Sequence, residues 1–232
     1  MSRILVIGDI HGCYLPLMSL LNVIDVKTSD KLIFVGDYID RGKDNKLVVD
    51  RLMTLKKELG SSVVTLVGNH EDMALKAFSG GQEDYAHWMR NGGETTLKSY
   101  DNDIEVAKRN LTPFIGNLTF FYETKTHIVS HASFPNVNDG TRADPCDKLQ
   151  QATMLWDRCI ENYHGKKTLV VGHTLRREVV YFTDINVVSI DTGCFKTNIL
   201  SAYDILHNEV YNSNGEVFKP VERTFDEFYD CR

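Results

Sequence analysis

Five short apolar runs in this chain each end in an oxygen or nitrogen ligand residue. The runs are RILVIGD (3–9), KLIFVGD (31–37), SVVTLVGNH (62–70), THIVSHA (126–132) and TLVVGHT (168–174). Short β-rich runs bounded by turn residues are typical of strands. Residues just beyond the carboxyl ends of strands in an α/β sheet converge on one crevice. We therefore expect one site to contain eight polar side chains, namely Asp9, His11, Asp37, Asp40, Asn69, His70, His131 and His173.

The pattern between these runs predicts how the strands are connected. Helical patterns follow the first three runs, over residues 14–24, 45–59 and 72–78. This alternation indicates βαβ units. The last third has short runs spaced like antiparallel strands joined by tight turns, at 181–193, 199–205 and 209–212. The sequence therefore predicts an α/β fold, a four-layer sandwich of two mixed β-sheets packed face to face and flanked by helices.

The length of the chain bounds its domain organisation. A chain of 232 residues can bury one sizeable core, and we find no linker or internal repeat, so we expect a single domain over residues 1–232. Two segments, 79–112 and 133–165, break the rhythm of strands and helices. We expect these insertions to form loops or caps that face the substrate.

Charge and composition exclude several classes of partner. The net charge of -6 and the pI near 5.7 argue against a nucleic-acid partner. No stretch approaches the roughly 18 unbroken apolar residues of a membrane helix, so no membrane partner is expected. Five irregularly spaced cysteines predict neither a disulfide framework nor a Cys-x-x-Cys zinc site, and the N-terminus lacks the zones of a secretory signal. These features predict a cytoplasmic protein, and we expect a monomer.

The residue types at the strand ends indicate metal chemistry. Carboxylate, imidazole and amide ligands without thiolate favour Mn²⁺, Fe or Zn²⁺ over a structural tetrahedral zinc site. The ligands are numerous enough for two ions, which can clamp a phosphoryl group and activate a shared water as the hydroxide nucleophile. Any one of these residues alone would be ordinary turn or helix-cap chemistry. Five such endings together indicate a site.

The motifs GDIHG (8–12), GDYIDRG (36–42) and GNHE (68–71), with the later SHA and GHT, resemble the signature of a known family. They are similar to those of the calcineurin-like metallophosphoesterases of the phosphoprotein phosphatase type, in order over residues 3–195. The resemblance implies that Asp9, His11 and Asp37 hold the first metal ion and that Asp37 bridges to the second. It also implies that the second ion is completed by Asn69, His131 and His173.

The same resemblance implies roles for residues that do not bind metal. His70 would protonate the leaving oxygen, and Asp40 would orient it, which fits a histidine held by a carboxylate near neutral pH. Arg41 would bind phosphate oxygens, because a guanidinium matches their geometry. LWDR (155–158) resembles the family segment with a second phosphate-binding arginine, which makes Arg158 the first candidate and Arg142 the second.

Other residues near the motifs have structural interpretations. We expect Glu71 to favour the N-terminus of a helix by its charge. Trp88 could stack on a base, but packing under a loop is the more common role of a tryptophan. The sequence departs from the family pattern after the DRG of 40–42, in SHASF (130–134) and in CFKTN (194–198). These changes spare the proposed ligands and affect the loops that face the substrate.

Three functions remain open at this point. The first is a protein serine/threonine phosphatase of the small bacterial or phage type, which uses two ions, Mn²⁺ first among them, on a phosphoprotein or a phosphorylated small molecule. The second is a symmetrical bis(5'-nucleosyl)-tetraphosphatase, which hydrolyses diadenosine tetraphosphate. The segment WMRNGGETTLKSYD (88–101) is similar to segments of both the phosphatases and the tetraphosphatases, so it does not decide between them. The third is a binding module that has lost turnover. That module predicts a missing ligand or acid, and none is missing.

Overall fold

The computed structural model describes residues 2–136 and 143–225. Within these ranges the strands are Ile4–Ile7 (β1), Lys31–Phe34 (β2), Val63–Thr65 (β3), Phe121–Glu123 (β4), His127–Ser130 (β5), Thr168–Val171 (β6), Val180–Phe182 (β7), Val187–Ser189 (β8), Ser201–Asp204 (β9), Glu209–Asn212 (β10), Val217–Phe218 (β11) and Val221–Arg223 (β12). The α-helices are Tyr14–Ile24 (α1), Asn45–Leu59 (α2), Asn69–Ser79 (α3), Gln82–Trp88 (α4), Glu94–Ser99 (α5), Ile104–Ile115 (α6), Lys148–Trp156 (α7) and Cys194–Thr197 (α8). None of these helices is long and apolar enough to cross a membrane.

The strands form two mixed six-stranded sheets. The first has the order β11-β10-β9-β1-β2-β3, with β1, β2 and β3 parallel and β9 antiparallel to β1. The second has the order β12-β7-β8-β6-β5-β4, with β5, β6 and β8 parallel. The predicted fold of two mixed sheets flanked by helices is confirmed. The parallel strands β1, β2 and β3 of the first sheet and β5 and β6 of the second lead to the polar motifs.

Alternation along β1 shows how the layers are held together. Leu5 and Ile7 face helices α1 and α2, while Val6 faces the second sheet and packs in one cluster with Val170 and Val188. This period of two is expected for a strand buried on both faces. The outer face of the second sheet is covered by α7, whose Met154 is fully buried. Two sheets with apolar inner faces therefore form a rigid frame under the strand ends.

The two insertions, expected as loops or caps, both contain helices that were not predicted. The 79–112 insertion is mostly helical, because its apolar residues recur at helical spacing and pack on α3 and α2. Asp103 caps α6 by accepting hydrogen bonds from the backbone N–H groups of Glu105 and Val106. The 133–165 insertion contains α7, and residues 137–142, which include the candidate Arg142, lie outside the described residues.

Candidate metal centre

The eight predicted side chains come together at one edge of the two sheets. Asp9 and His11 follow β1, Asp37 and Asp40 follow β2, and His131 and His173 follow β5 and β6, whereas Asn69 and His70 form the first turn of α3 after β3. All eight are buried, and the most exposed of them, His173, is 8% exposed. Buried polar groups of this kind require partners. The prediction that these residues share one site therefore agrees with their positions.

Five residues of this edge have left-handed backbone conformations. The φ angles are positive in His11 (47°), Asp37 (52°), His173 (59°), Arg41 (67°) and Asp40 (71°). For a residue with a β-carbon this conformation is sparsely populated and costs about 1–3 kcal/mol. The packed frame below must offset that cost. The conformation turns each chain sharply at the strand end, so that consecutive polar side chains face the same crevice.

Two glycines allow the carboxylates to approach the backbone closely. A β-carbon at Gly172 would overlap the Asp9 carboxylate, and one at Gly68 would overlap the carboxylate and the backbone N–H of Asp37. These contacts explain why the motifs contain Gly-His and Gly-Asn pairs. A glycine before the ligand is needed for close approach here, and ordinary turn chemistry alone would not require it.

Asp37 lies between two groups of possible metal ligands. One group contains His11, Asp37 and His70, the other contains Asp37, His131 and His173, and within each group the ligand atoms lie within 4.8 Å of one another. Asp37 Oδ2 is 3.4 Å from His11 Nε2, and Oδ1 is 3.5 Å from His131 Nε2. The two oxygens of one carboxylate thus face two different groups. This is the arrangement expected of a bridging ligand.

The hydrogen bonds of two histidines fix which nitrogen faces Asp37. His11 Nδ1 lies 2.9 Å from the Ile39 carbonyl, and His131 Nδ1 lies 3.1 Å from the Val35 carbonyl. A carbonyl can only accept, so both Nδ1 atoms carry the proton and both Nε2 atoms present lone pairs to Asp37. The Nε2 lone pairs and the Asp37 carboxylate oxygens are all hydrogen-bond acceptors, and a cation between them would stabilise this arrangement. The donor set therefore fits bound metal ions.

Asn69 and His173 complete the second group. Asn69 Oδ1 is 3.0 Å from His131 Nε2 and 3.0 Å from His173 Nδ1. Adjacent ligand atoms about 2.1 Å from one ion lie about 3.0 Å apart in octahedral geometry and about 3.4 Å apart in tetrahedral geometry, so this spacing fits a common octahedral ion. His173 Nε2 is buried and has no hydrogen-bond partner among the described residues. Nδ1, the nitrogen that faces Asn69 Oδ1, is therefore the candidate ligand atom of His173, and Nε2 would carry the proton of the neutral ring.

Asp9 lies beside both groups, and its carboxylate accepts the backbone N–H of His173 at 3.0 and 3.2 Å. Burial raises the pKa of Asp9 well above its ordinary value, and the negative charges of Asp191 and Asp37 add to the effect. Burial also raises the pKa of Asp191 to about 6. A divalent cation next to these carboxylates would favour their charged forms. This electrostatic environment, like the donor set, fits metal ions.

Burial also sets the charge of the histidines. It lowers the pKa of His11 to about 3 and that of His173 to about 3, and it lowers the pKa of His131. These rings are therefore neutral at physiological pH. A neutral imidazole is the form that binds a metal ion.

His70 differs from the other histidines because a carboxylate holds it. Its Nδ1 lies 2.7 Å from Asp40 Oδ2, and its Nε2 lies 3.1 Å from Arg41 Nη2. The guanidinium can only donate, so Nδ1 carries the proton and Nε2 accepts. Burial lowers the pKa of His70, but the charges of Asp37 and Asp40 outweigh it and raise the pKa above the ordinary value. Asp40 thus orients the ring, as the resemblance implies.

The predicted phosphate-binding arginines are both exposed at this edge. The guanidinium of Arg41 packs on the ring of Phe195, with Cζ 4.6 Å from the ring centroid. The charge of Arg158 contributes to the lowered pKa values of His131 and His173, so Arg158 lies within electrostatic reach of the second ligand group. Phe195 belongs to the CFKTN segment, which departs from the family pattern, and its ring supports the guanidinium of Arg41.

Glu71 has a larger role than the helix start expected from the sequence. Its side chain caps α3 by accepting the Gly68 N–H at 2.9 Å, which agrees with that expectation. It also accepts the N–H groups of Asp37 at 2.9 Å, Tyr38 at 2.8 Å and Ile39 at 3.4 Å. One fully buried carboxylate therefore ties the loop after β2 to the start of α3. The sequence gives no signal for this contact because its partners are backbone groups 32–34 residues away.

Comparison with known proteins agrees with this geometry. The family model described as calcineurin-like phosphoesterase matches residues 2–189. Serine/threonine-protein phosphatase 2 of Salmonella typhimurium is 33% identical over 218 residues, which cover 88% of this chain and 93% of the relative. The asymmetrical bis(5'-nucleosyl)-tetraphosphatase PrpE of Oceanobacillus iheyensis is 28% identical over 233 residues, which cover 87% and 88% of the two chains.

A solved structure supports the fold independently of close sequence similarity. A protein serine/threonine phosphatase from Saccharomyces cerevisiae superposes with a TM-score of 0.65 at 17% identity, over 97% of this chain and 82% of that one. The similarity at this identity concerns the fold alone. The family match over most of the chain, together with the ligand groups at the strand ends, assigns the activity class. The chain belongs to the calcineurin-like phosphoesterase family and is a metal-dependent phosphoesterase.

Proposed function

We propose that this chain is a protein serine/threonine phosphatase that hydrolyses phosphomonoesters with two divalent metal ions. The observation that carries the proposal is the position of Asp37, whose two oxygens face two different groups of buried ligands. The Salmonella relative that aligns over 88% of this chain is named a serine/threonine-protein phosphatase, which supports the substrate class. Phosphoproteins would then be the partners of the site.

In this proposal six residues hold the metal ions. Asp9, His11 and Asp37 would hold the first ion, and Asp37, Asn69, His131 and His173 would hold the second. His70, which lies in one geometric group with His11 and Asp37, would be left for proton transfer. Nitrogen and oxygen ligands without thiolate support Mn²⁺ as the resident ion, with Fe and Zn²⁺ as the alternatives. When bound, the two ions polarise the phosphate and lower the pKa of a water toward neutrality, so that water itself is the nucleophile.

The protein's own residues handle the leaving group and the phosphate oxygens. When Arg41 leaves His70 Nε2, that nitrogen takes up a proton from solvent, and the imidazolium gives this proton to the leaving alkoxide while Asp40 holds Nδ1–H at 2.7 Å. Arg41 turns from His70 Nε2, its partner at 3.1 Å, to the phosphate oxygens, and Phe195 supports its guanidinium. Arg158 supplies positive charge on the side of the second ligand group. Both arginines are exposed before the substrate arrives, so they can bind phosphate without a buried charge being left unpaired.

We also propose that residues 1–232 form a single catalytic domain. The two sheets share one apolar cluster, and both sheets contribute ligands to the site, which supports one cooperative unit. The four cysteines among the described residues are free thiols, which fits a reducing compartment such as the cytoplasm.

A substrate panel tests the proposed specificity. We expect the Mn²⁺-loaded protein to hydrolyse phosphoserine and phosphothreonine peptides with a higher kcat/KM than a phosphotyrosine peptide or diadenosine tetraphosphate. A kcat/KM that is far higher for the dinucleotide would make the protein a bis(5'-nucleosyl)-tetraphosphatase, as the Oceanobacillus relative is named. No hydrolysis of p-nitrophenyl phosphate with any divalent ion would contradict the enzyme itself.

A further inference from the structure

Two side chains of the 79–112 insertion hold the carboxylate of Asp40. Thr96 Oγ1 donates to Oδ1 at 2.6 Å, and Trp88 Nε1 lies 3.0 Å from both oxygens. Thr96 Oγ1 also accepts the backbone N–H of Asp40 at 3.0 Å. Asp40, Trp88 and Thr96 are each fully buried. The insertion thus reaches the site through two hydrogen-bonding side chains as well as through its packing.

These contacts differ from those that packing alone would require. Trp88 does pack, since its ring lies against Phe78 with centroids 5.4 Å apart, as a buried tryptophan was expected to do. A phenylalanine could make that contact, but it could not donate to Asp40. Thr96 makes two hydrogen bonds with Asp40, whereas a valine of the same shape could make neither. The polar atoms of both residues are therefore directed to one carboxylate.

The geometry leaves the carboxylate little freedom to rotate. Oδ1 accepts from Thr96 and Trp88, while Oδ2 accepts from Trp88 and from His70 at 2.7 Å. Without the first two donors, rotation about the Cβ–Cγ bond of an aspartate is soft and roughly two-fold. The direction of the His70 Nδ1–H bond, and with it the direction of Nε2, would then vary. A proton donor must be held close to its acceptor to be effective.

We propose that Trp88 and Thr96 are positioning residues for proton transfer, which act on His70 through Asp40. The inference rests on the proposed function of His70 as the general acid. It gives the 79–112 insertion a role in the chemical step, separate from any contact with substrate. Neither residue needs to touch the substrate, the metal ions or the reacting atoms for this role.

The test compares substrates with poor and good leaving groups. Thr96→Val should lower kcat for phenyl phosphate about 10-fold, because the phenolate needs a proton and a general acid contributes about 10²–10⁴-fold. The loss for p-nitrophenyl phosphate should be smaller, since its leaving group needs less protonation. Thr96→Ser, which keeps the hydroxyl, should restore both rates. Trp88→Phe provides a second variant and should show the same dependence on the leaving group.

A control and a double substitution separate positioning from folding. Thr168→Val removes a threonine hydrogen bond of 2.9 Å to Asn186 at the other end of β6 and should leave both rates unchanged. In a His70→Asn background, Thr96→Val should cause no further loss, because the two residues act in one chain of contacts. Manganese content and the thermal midpoint of unfolding are measured for every variant.

The possible results are distinguishable. Equal losses on both substrates for Thr96→Val and Trp88→Phe, or a full further loss in the His70→Asn background, would overturn the positioning role while leaving the proposed function intact. If His70→Asn alone left phenyl phosphate hydrolysis unchanged, the general acid would be wrong and the inference would fall with it.

Discussion

The substitution Glu71→Gln tests whether one buried carboxylate holds the metal loops together. In the structure Oε1 accepts the N–H groups of Tyr38 and Ile39, and Oε2 accepts those of Asp37 and Gly68. Glutamine has nearly the same shape, but its amide nitrogen can only donate. Whichever way the amide is turned, two buried N–H groups therefore lose their acceptor and face another donor.

The expected cost follows from those two groups. A buried donor left without a partner costs about 1–3 kcal/mol, so the free energy of unfolding should fall by about 2–6 kcal/mol. That is a large share of the about 5–15 kcal/mol by which a domain of this kind is stable. Because one of the four N–H groups belongs to Asp37 and another to Tyr38, the next residue, affinity for Mn²⁺ should fall as well.

Urea unfolding with and without Mn²⁺ measures both effects. The free energy of unfolding of the variant should be lower in each condition, and the added stability from Mn²⁺ should be smaller than in the wild type. Glu58→Gln is the control: Glu58 is exposed and pairs with Arg51 at 3.3 Å, so its loss should change stability by less than about 1 kcal/mol. Wild-type stability and wild-type Mn²⁺ affinity in Glu71→Gln would show that the Glu71 carboxylate does not hold these loops together.

Three further predictions concern the chemical step and the far end of the sheet. His70→Asn should lower kcat on phenyl phosphate about 10²–10⁴-fold with metal content unchanged; loss of metal would show that His70 is a ligand instead. Single turnover in ¹⁸O-water should place the label in released phosphate, and a trapped phosphoenzyme would contradict attack by water. Burial raises the pKa of Asp30, but hydrogen bonds from Arg3 and Lys27 outweigh it and leave the pKa below its ordinary value. Asp30→Asn should therefore lower the free energy of unfolding by about 1–3 kcal/mol at pH 7. This difference from the wild type should shrink as pH falls below about 4, because Asp30 then binds a proton more readily in the unfolded chain than in the folded one. A difference that does not depend on pH would contradict this prediction.

The strand ends were predictable from the sequence because their signal is local. The apolar residues of a run such as RILVIGD predict a strand. The last residue of such a run is then expected at the carboxyl edge of a parallel sheet. Asp9, Asp37 and His131 are therefore predicted to share one site from the sequence alone. The strand order was not predicted from this pattern: the late strands β9, β10 and β11 join β1 in the first sheet, while β4 to β8 and β12 form the second.

The contacts between distant residues could not be predicted in the same way. Nothing in the sequence around Thr96 indicates that its hydroxyl donates to Asp40, 56 residues earlier. The left-handed backbone conformations of His11 and Asp37 could not be predicted from local sequence preferences either. The packed sheets impose these conformations despite their conformational free-energy cost. The helical structure of the 79–112 insertion was missed because its glycines and polar residues are typical of a loop.

Counting the bound ions tests whether Asp37 lies between two metal sites. The protein is dialysed against Mn²⁺, freed of unbound metal and analysed by mass spectrometry for manganese per chain. We expect two ions per chain in the wild type, because the carboxylate oxygens of Asp37 face two separate ligand groups. A stoichiometry of one ion or none in protein that hydrolyses phosphate esters at full rate would contradict it.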